Sequence, residues 1–142
     1  MIDPKYRRRA REKAIQFLYG IDMTRYDAQA VIDEFWRTFP ERPPVRQYAN
    51  YLIAGVNEHR PDLDAYIDGA LVNWNPDRVG KIERNILRVA LYEMNFVEDV
   101  PRAVAMDEAI ELAKDLAASE APRFINGVLD RLRDVNIEDP TA

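Results

Sequence analysis

The sequence predicts an all-α protein of two small helical subdomains that share one core, with about three helices in the first and three to four in the second. Apolar residues recur every three or four positions along nearly the whole chain, and the two-residue alternation typical of a half-buried strand is absent. Nine prolines fall mostly between these periodic segments. The 142 residues, 47% of them hydrophobic, suffice for one domain over residues 1–142. We place the subdomains at roughly 1–58 and 61–135, followed by a frayed tail at 136–142.

The first subdomain opens with a helix from about Tyr6 to Met23. Its apolar side is formed by Ala10, Ala14, Ile15, Leu18 and Ile21. A second helix covers about residues 27–39 and ends before Pro40. Its expected core residues are Val31, Ile32, Phe35 and Phe39. The third helix begins after Pro44 and continues to about His59.

A helix break is predicted at Arg60-Pro61-Asp62, because proline lacks an amide hydrogen and disfavours helical backbone in the residue before it. A fourth helix then covers about 62–72 and is followed by a turn-rich hinge at 73–77. The remaining helices are expected at 79–96, 102–116 and 122–135, the last of them opened by the cap and first turn at 119–122.

Composition excludes several classes of protein. Without cysteine the chain has no disulfides, thiolate metal sites or cysteine nucleophiles, and its one histidine gives no zinc cluster. The sequence contains neither an apolar run of about 18 residues nor a signal peptide. Asp107 and Glu111 lie one helical turn apart, but no histidine or glycine-rich phosphate loop accompanies them. We therefore expect a cytoplasmic protein that is not an enzyme, holds no metal or cofactor and does not contact membranes.

The start of the chain is strongly basic. Residues 1–13 carry six positive and two negative side chains, a net charge of +4, whereas the whole chain carries −5, so the remainder carries −9. Cations at a helix N-terminus oppose the macrodipole, so stability does not explain them. A solvated helix face is the plain alternative, but the contrast with the acidic body favours local contact with a polyanion such as nucleic acid.

Three segments occur in a specific order: Arg7-Arg8-Arg9-Ala10-Arg11-Glu12-Lys13-Ala14 followed by Leu18-Tyr19, then residues 82–93 (IERNILRVALYE), then residues 108–114 (EAIELAK) running on to 124–130 (FINGVLD). In order and spacing these segments resemble the NusB family of bacterial transcription antitermination factors across nearly the whole chain. Asp99-Val100-Pro101 is similar to the family's acidic, apolar, proline turn before its penultimate helix.

The resemblance implies an all-helical protein of two subdomains that catalyses no reaction. It implies binding of single-stranded boxA-like RNA in nascent ribosomal transcripts together with the ribosomal protein NusE, and entry of the complex into the RNA polymerase antitermination assembly. Its main RNA contact is implied at Arg7, Arg8, Arg9 and Arg11, with Lys5 a further candidate. Guanidinium suits this role because it offers charge, forked donors and a flat face for unstacked bases.

A second RNA contact is implied near the last helix, at Glu120, Arg123 and Phe124, where Asp107, Ala117 and Ala121 depart from the family's usual residues. Phe124 and Tyr19 have two open interpretations, since each aromatic ring could stack on a base or pack in the core. Asp77 and Glu83 are candidates for the partner surface, although acidic residues at a helix start also favour the macrodipole without any partner.

Two functions from different classes remain. The first is RNA-binding antitermination with NusE. The alternative is a helical protein-interaction adaptor without RNA recognition, which the intact basic segment opposes. The sequence leaves open a homodimer in which paired basic helices would cover the RNA site.

Overall fold

The computed structural model describes residues 2–137 and confirms the all-α class, since this range contains helices and turns without a strand. The six helices are α1 (Pro4–Thr24), α2 (Ala28–Thr38), α3 (Pro43–Gly69), α4 (Lys81–Phe96), α5 (Arg102–Leu116) and α6 (Ala121–Arg131). A short 3-10 turn, Pro76–Arg78, lies in the predicted hinge before α4.

Helix α3 runs without interruption through Pro61, so the predicted break at Arg60-Pro61-Asp62 is wrong. A proline inside a helix costs about 3 kcal/mol. Leu63 and Ile67, which follow it, are fully buried, and burial of such side chains contributes about 1.5–3 kcal/mol each. Packing on the buried face therefore offsets the missing hydrogen bond, while Pro61 itself lies exposed. The expected boundary between subdomains falls inside this helix, and the division into subdomains stays a prediction.

Helix α4 is the central element and packs against α1, α3, α5 and α6. All ten residues from Asn85 to Met94 are buried. Because neighbours cover it on several sides, its buried surface extends around the helix instead of forming one stripe. These four helices therefore take their positions relative to α4.

Helix α2 corrects one predicted core residue. Trp36 is buried and its Nε1 donates to Oδ1 of Asn50 at 2.8 Å, whereas Phe39, expected in the core, is 47% exposed. Phe35 lies partly buried between the two rings. Of the aromatic residues at the end of α2, Trp36 is therefore the one that points into the core, where its indole N–H has a hydrogen-bond acceptor.

The C-terminal end of the chain departs from expectation in two ways. Helix α6 ends at Arg131 rather than near residue 135. Fraying from residue 136 is wrong for Asn136 and Ile137: Ile137 is buried and donates its backbone N–H to Asn95, and Asn136 accepts from Arg102. Residues 138–142 lie outside the described part of the chain.

Candidate nucleic-acid interface

The basic segment occupies the first turns of α1. Asp3 caps this helix, since its side chain accepts from the backbone N–H of Lys5 at 3.0 Å, and Pro4 takes the first helical position. The backbone N–H groups of Tyr6 and Arg7 donate to the carbonyl of Asp3, so the first turn is already capped and any attraction for anions here comes from the basic side chains.

Two polar networks hold α1 in its orientation. Near its start, Arg11 and Tyr48 both bond to Glu93 on α4. Near its end, Asp22 accepts from Arg60 at 3.0 Å and from Arg88 at 2.8 Å. Both networks cross from α1 to α3 and α4, so the direction in which the basic side chains leave the helix is set by tertiary contacts.

The predicted RNA-contacting cations differ in exposure. Lys5 is exposed, and the side chains of Arg8 and Arg9 are 52% and 49% exposed. Arg7 is mostly covered, with 12% of its side chain exposed. Arg11, for which the resemblance implies RNA contact, is only 4% exposed. Its position faces α4, where a buried carboxylate pairs with its charge.

Arg7 lies between an aromatic ring and a loop carboxylate. Its guanidinium carbon is 4.8 Å from the centre of the Tyr48 ring, and its NH2 donates to Oδ2 of Asp99 at 2.6 Å. This hydrogen bond, together with the positive charge, holds the pKa of Asp99 below its usual value. Nε of Arg7 is buried and has no hydrogen-bond partner within residues 2–137.

Arg8 and Arg9 also meet carboxylates from distant parts of the chain. Arg8 donates from Nε and NH2 to the two oxygens of Glu108 at 2.7 and 3.0 Å, and this forked hydrogen bond raises the pKa of Arg8. Arg9 donates from Nε to Glu41 at 2.8 Å. Sequence reasoning did not place Glu41, Asp99 or Glu108 beside α1, because nothing in their spacing links them to it.

The second predicted RNA contact lies in an open cleft of about 740 Å³ beside α6. Arg123 and Glu120 are exposed there, and Phe124 is half-buried. Phe124 packs against the core and also meets the exposed ring of Trp74 edge-on, with ring centres 5.0 Å apart. Both interpretations of Phe124 therefore stay open, and Trp74, from the predicted hinge, adds a second aromatic ring to this cleft.

The two candidate residues for the partner surface, Asp77 and Glu83, line different clefts. Glu83 lines the same cleft as Phe124 and folds back against Gly80, the N-cap residue of α4, as a helix-start carboxylate does. Asp77 is exposed in a second, polar cleft of about 510 Å³, together with Arg84. Tyr19 is half-buried near the end of α1.

Within residues 2–137, no group of three or more histidine or acidic side chains could hold a metal ion. In the same range, no helix combines the length and the apolar character that a bilayer crossing requires.

Comparison with known proteins gives a consistent result. The family model described as NusB family matches residues 8–134. The chain is 41% identical to transcription antitermination protein NusB of Desulfotalea psychrophila over 133 residues, which cover 89% of this chain and 94% of that protein. It is 42% identical to the protein of that name from Anaeromyxobacter sp. strain Fw109-5, with 89% of this chain and 88% of that protein covered.

Solved structures agree. The T. maritima NusB structure matches with a TM-score of 0.83 at 31% identity, covering 96% of this chain and 94% of that one. A structure of antitermination factors NusB and NusE in complex with dsRNA matches with a TM-score of 0.81 at 26% identity, covering 92% of this chain and 98% of that one.

Proposed function

The chain belongs to the NusB family, and on that premise we propose that it is a transcription antitermination factor. It binds single-stranded boxA-like RNA of nascent ribosomal transcripts together with the ribosomal protein NusE, and the complex joins RNA polymerase. The relatives at 41–42% identity carry this antitermination role in their names, and the chain covers most of their length.

The observation that carries the RNA-binding proposal is the basic row on α1, by which we mean Lys5, Arg7, Arg8 and Arg9. Its members lie within two helical turns, and three of the four are exposed. Arg11 is not part of this row because it is buried against Glu93. The row concentrates positive charge in a chain whose net charge is −5, so it attracts phosphate locally.

The NusE proposal is supported by the related NusB that was solved with NusE and RNA. The residues after Lys13 carry a net charge of −9, and the candidate partner residues Asp77 and Glu83 belong to this acidic body. An acidic body suits a basic partner such as a ribosomal protein. We expect binding without catalysis, and action on nascent transcripts in the cytoplasm.

The test is fluorescence anisotropy of a labelled boxA-like single-stranded RNA, with and without NusE, at several salt concentrations. About four phosphate contacts predict a log-log salt slope of roughly −3 for the wild type. A double variant, Arg8→Ala with Arg9→Ala, removes two contacts, so the slope should become shallower by about 1.4 and the affinity should fall. Adding NusE should tighten RNA binding by the wild type.

Arg133→Ala provides the matched control, because Arg133 is also an exposed arginine paired with a carboxylate, at 2.7 Å from Asp130 on α6. Its RNA affinity should equal that of the wild type. Equal losses in both variants would contradict a localised site. Absence of RNA binding by the wild type even with NusE would favour the protein-interaction adaptor.

A further inference from the structure

We propose that Glu41, Asp99 and Glu108 are internal competitors of phosphate that set the RNA affinity of the basic row. These three carboxylates each bond to one arginine of the row, and an RNA strand must displace them or bind against their charge. The inference rests on the proposed function and assigns a role to residues outside the basic segment.

The geometry of the pairs supports competition. The carboxylate oxygens lie 2.6 Å from Arg7, 2.7 Å from Arg8 and 2.8 Å from Arg9, the distances of charge-assisted hydrogen bonds. Arg8 meets Glu108 through Nε and NH2 together, the same forked edge that binds phosphate oxygens. The carboxylate thus occupies the donors best suited to RNA.

Three separate elements supply these carboxylates. Glu41 lies in the connection between α2 and α3, Asp99 in the connection between α4 and α5, and Glu108 on α5. They surround the start of α1 and bring three negative charges to three arginines. The charge that RNA meets is therefore much smaller than the +4 of the N-terminal segment.

The pairs at Arg8 and Arg9 are open to solvent on the arginine side. About half of each arginine side chain is exposed, so water and salt reach these pairs and screen them. This differs from the pair of Arg11 and Glu93, which is shielded from water. The carboxylates are more covered, since Glu108 is 17% and Glu41 is 11% exposed, and they also lie 3.8 Å from Arg11 and 3.7 Å from Lys13. A phosphate can approach the exposed side of Arg8 or Arg9 while Glu108 and Glu41 keep their contacts with Arg11 and Lys13, so it binds against their charge.

Competition of this kind also selects the ligand. One phosphate group that binds against a carboxylate gains little, because the guanidinium is already paired with an anion. A single strand presents several phosphates at the spacing of its backbone and also offers bases for stacking. The basic row should therefore bind small phosphates very weakly. Its selectivity for an RNA strand over a single phosphate should be greater than that of arginines without paired carboxylates.

The test compares Glu108→Gln, Glu41→Gln and the double variant with the wild type, using the labelled boxA-like RNA. Glutamine keeps an oxygen that accepts from the arginine, so the guanidinium stays oriented while the competing charge is removed. Each single variant should bind RNA about two- to fivefold more tightly at low salt. The gain should shrink as salt increases, because the screening length falls from about 10 Å at 0.1 M to about 3 Å at 1 M.

Asp68→Asn is the matched control. Asp68 pairs with Arg84 at 2.8 Å, so this variant loses one carboxylate and one arginine pair away from the basic row. Its RNA affinity should stay within about 1.5-fold of the wild type. Thermal unfolding of each variant checks that the fold persists, and Asp99→Asn replaces any variant that fails to fold.

The outcomes separate this inference from the proposed function. Tighter binding in the glutamine variants but not in Asp68→Asn supports internal competition. If the wild type binds RNA through Arg8 and Arg9 while the glutamine variants bind equally or more weakly, the carboxylates only orient the arginines, and the inference is overturned while the function stands. Failure of every variant to bind RNA, with or without NusE, overturns both.

Discussion

Arg11 donates a hydrogen bond from Nε to Oε1 of Glu93 at 2.7 Å, and the two side chains are only 4% and 1% exposed. The hydroxyl of Tyr48 donates to the other oxygen of Glu93. Burial raises the pKa of Tyr48, and the neighbouring Glu93 charge raises it further, so this tyrosine stays a neutral donor. One carboxylate on α4 therefore holds α1 and α3 together, while Arg8 and Arg9 are left at the surface.

Removing this carboxylate should destabilise the whole protein. Glu93→Ala leaves the Arg11 charge buried without its partner, and breaking a buried pair in this way costs about 3–5 kcal/mol. We expect urea unfolding to report a loss in that range. Glu111→Ala is the control, because Glu111 is exposed and pairs only with Lys114 among the contacts described, at 3.0 Å; its loss should stay below about 0.5 kcal/mol. Similar losses of unfolding free energy in both variants would show that the buried contacts of Glu93 with Arg11 and Tyr48 contribute no more than an exposed ion pair.

Stability should fall on acidification through Asp22. Burial alone would raise its pKa, but hydrogen bonds from Asn85 and Arg60 and the charges of Arg88 and Arg60 outweigh burial and hold the pKa below its usual value. A lowered folded-state pKa contributes stability above the unfolded value of about 3.9, and this contribution is lost as pH falls through the folded pKa. The wild type should therefore lose unfolding free energy progressively below about pH 5.

Asp22→Asn tests this assignment. The variant should be less stable than the wild type at pH 7, and its unfolding free energy should depend less on pH between about 5 and 3. Urea unfolding at a series of pH values measures both quantities. Asp33→Asn, at an exposed position of α2, removes the same charge without touching the network. An acid slope in Asp22→Asn as steep as that of the wild type would assign the pH dependence to other groups.

Replacing glycine with alanine should destabilise the protein at a buried helix position and stabilise it at an open one. At Gly55 on α3, an added Cβ would collide with the ring of Tyr92 on α4, so Gly55→Ala should cost about 1–3 kcal/mol. At Gly20 on α1, an added Cβ meets no atom within 4 Å, and Gly20→Ala should stabilise by about 0.5–1 kcal/mol. Thermal unfolding of both variants measures the contrast. Stabilisation by Gly55→Ala would mean that α3 and α4 can separate at no cost.

Local sequence predicted the helices whose signals lie within one or two turns. The residue spans expected for α4 and α5 agree with the structure almost to the residue, because helical hydrogen bonds join positions four apart and the apolar spacing reports them directly. The same local logic fails at Pro61, where the proline signal is strong but the deciding contacts come from Leu63 and Ile67 packing against other helices. At this position the burial of apolar side chains outweighs the low helix propensity of proline.

The sequence by itself determined the all-α class, the family and the concentration of positive charge at the start of α1, because these depend on composition, periodicity and residue order. Only the tertiary structure decided which arginines are available. Arg8 and Arg11 are three residues apart on one helix, yet one is half-exposed beside Glu108 and the other is buried against Glu93. Those carboxylates lie 100 and 82 residues away along the chain, and only the packing of α4 against α1 and of α5 against α4 brings them within hydrogen-bond distance.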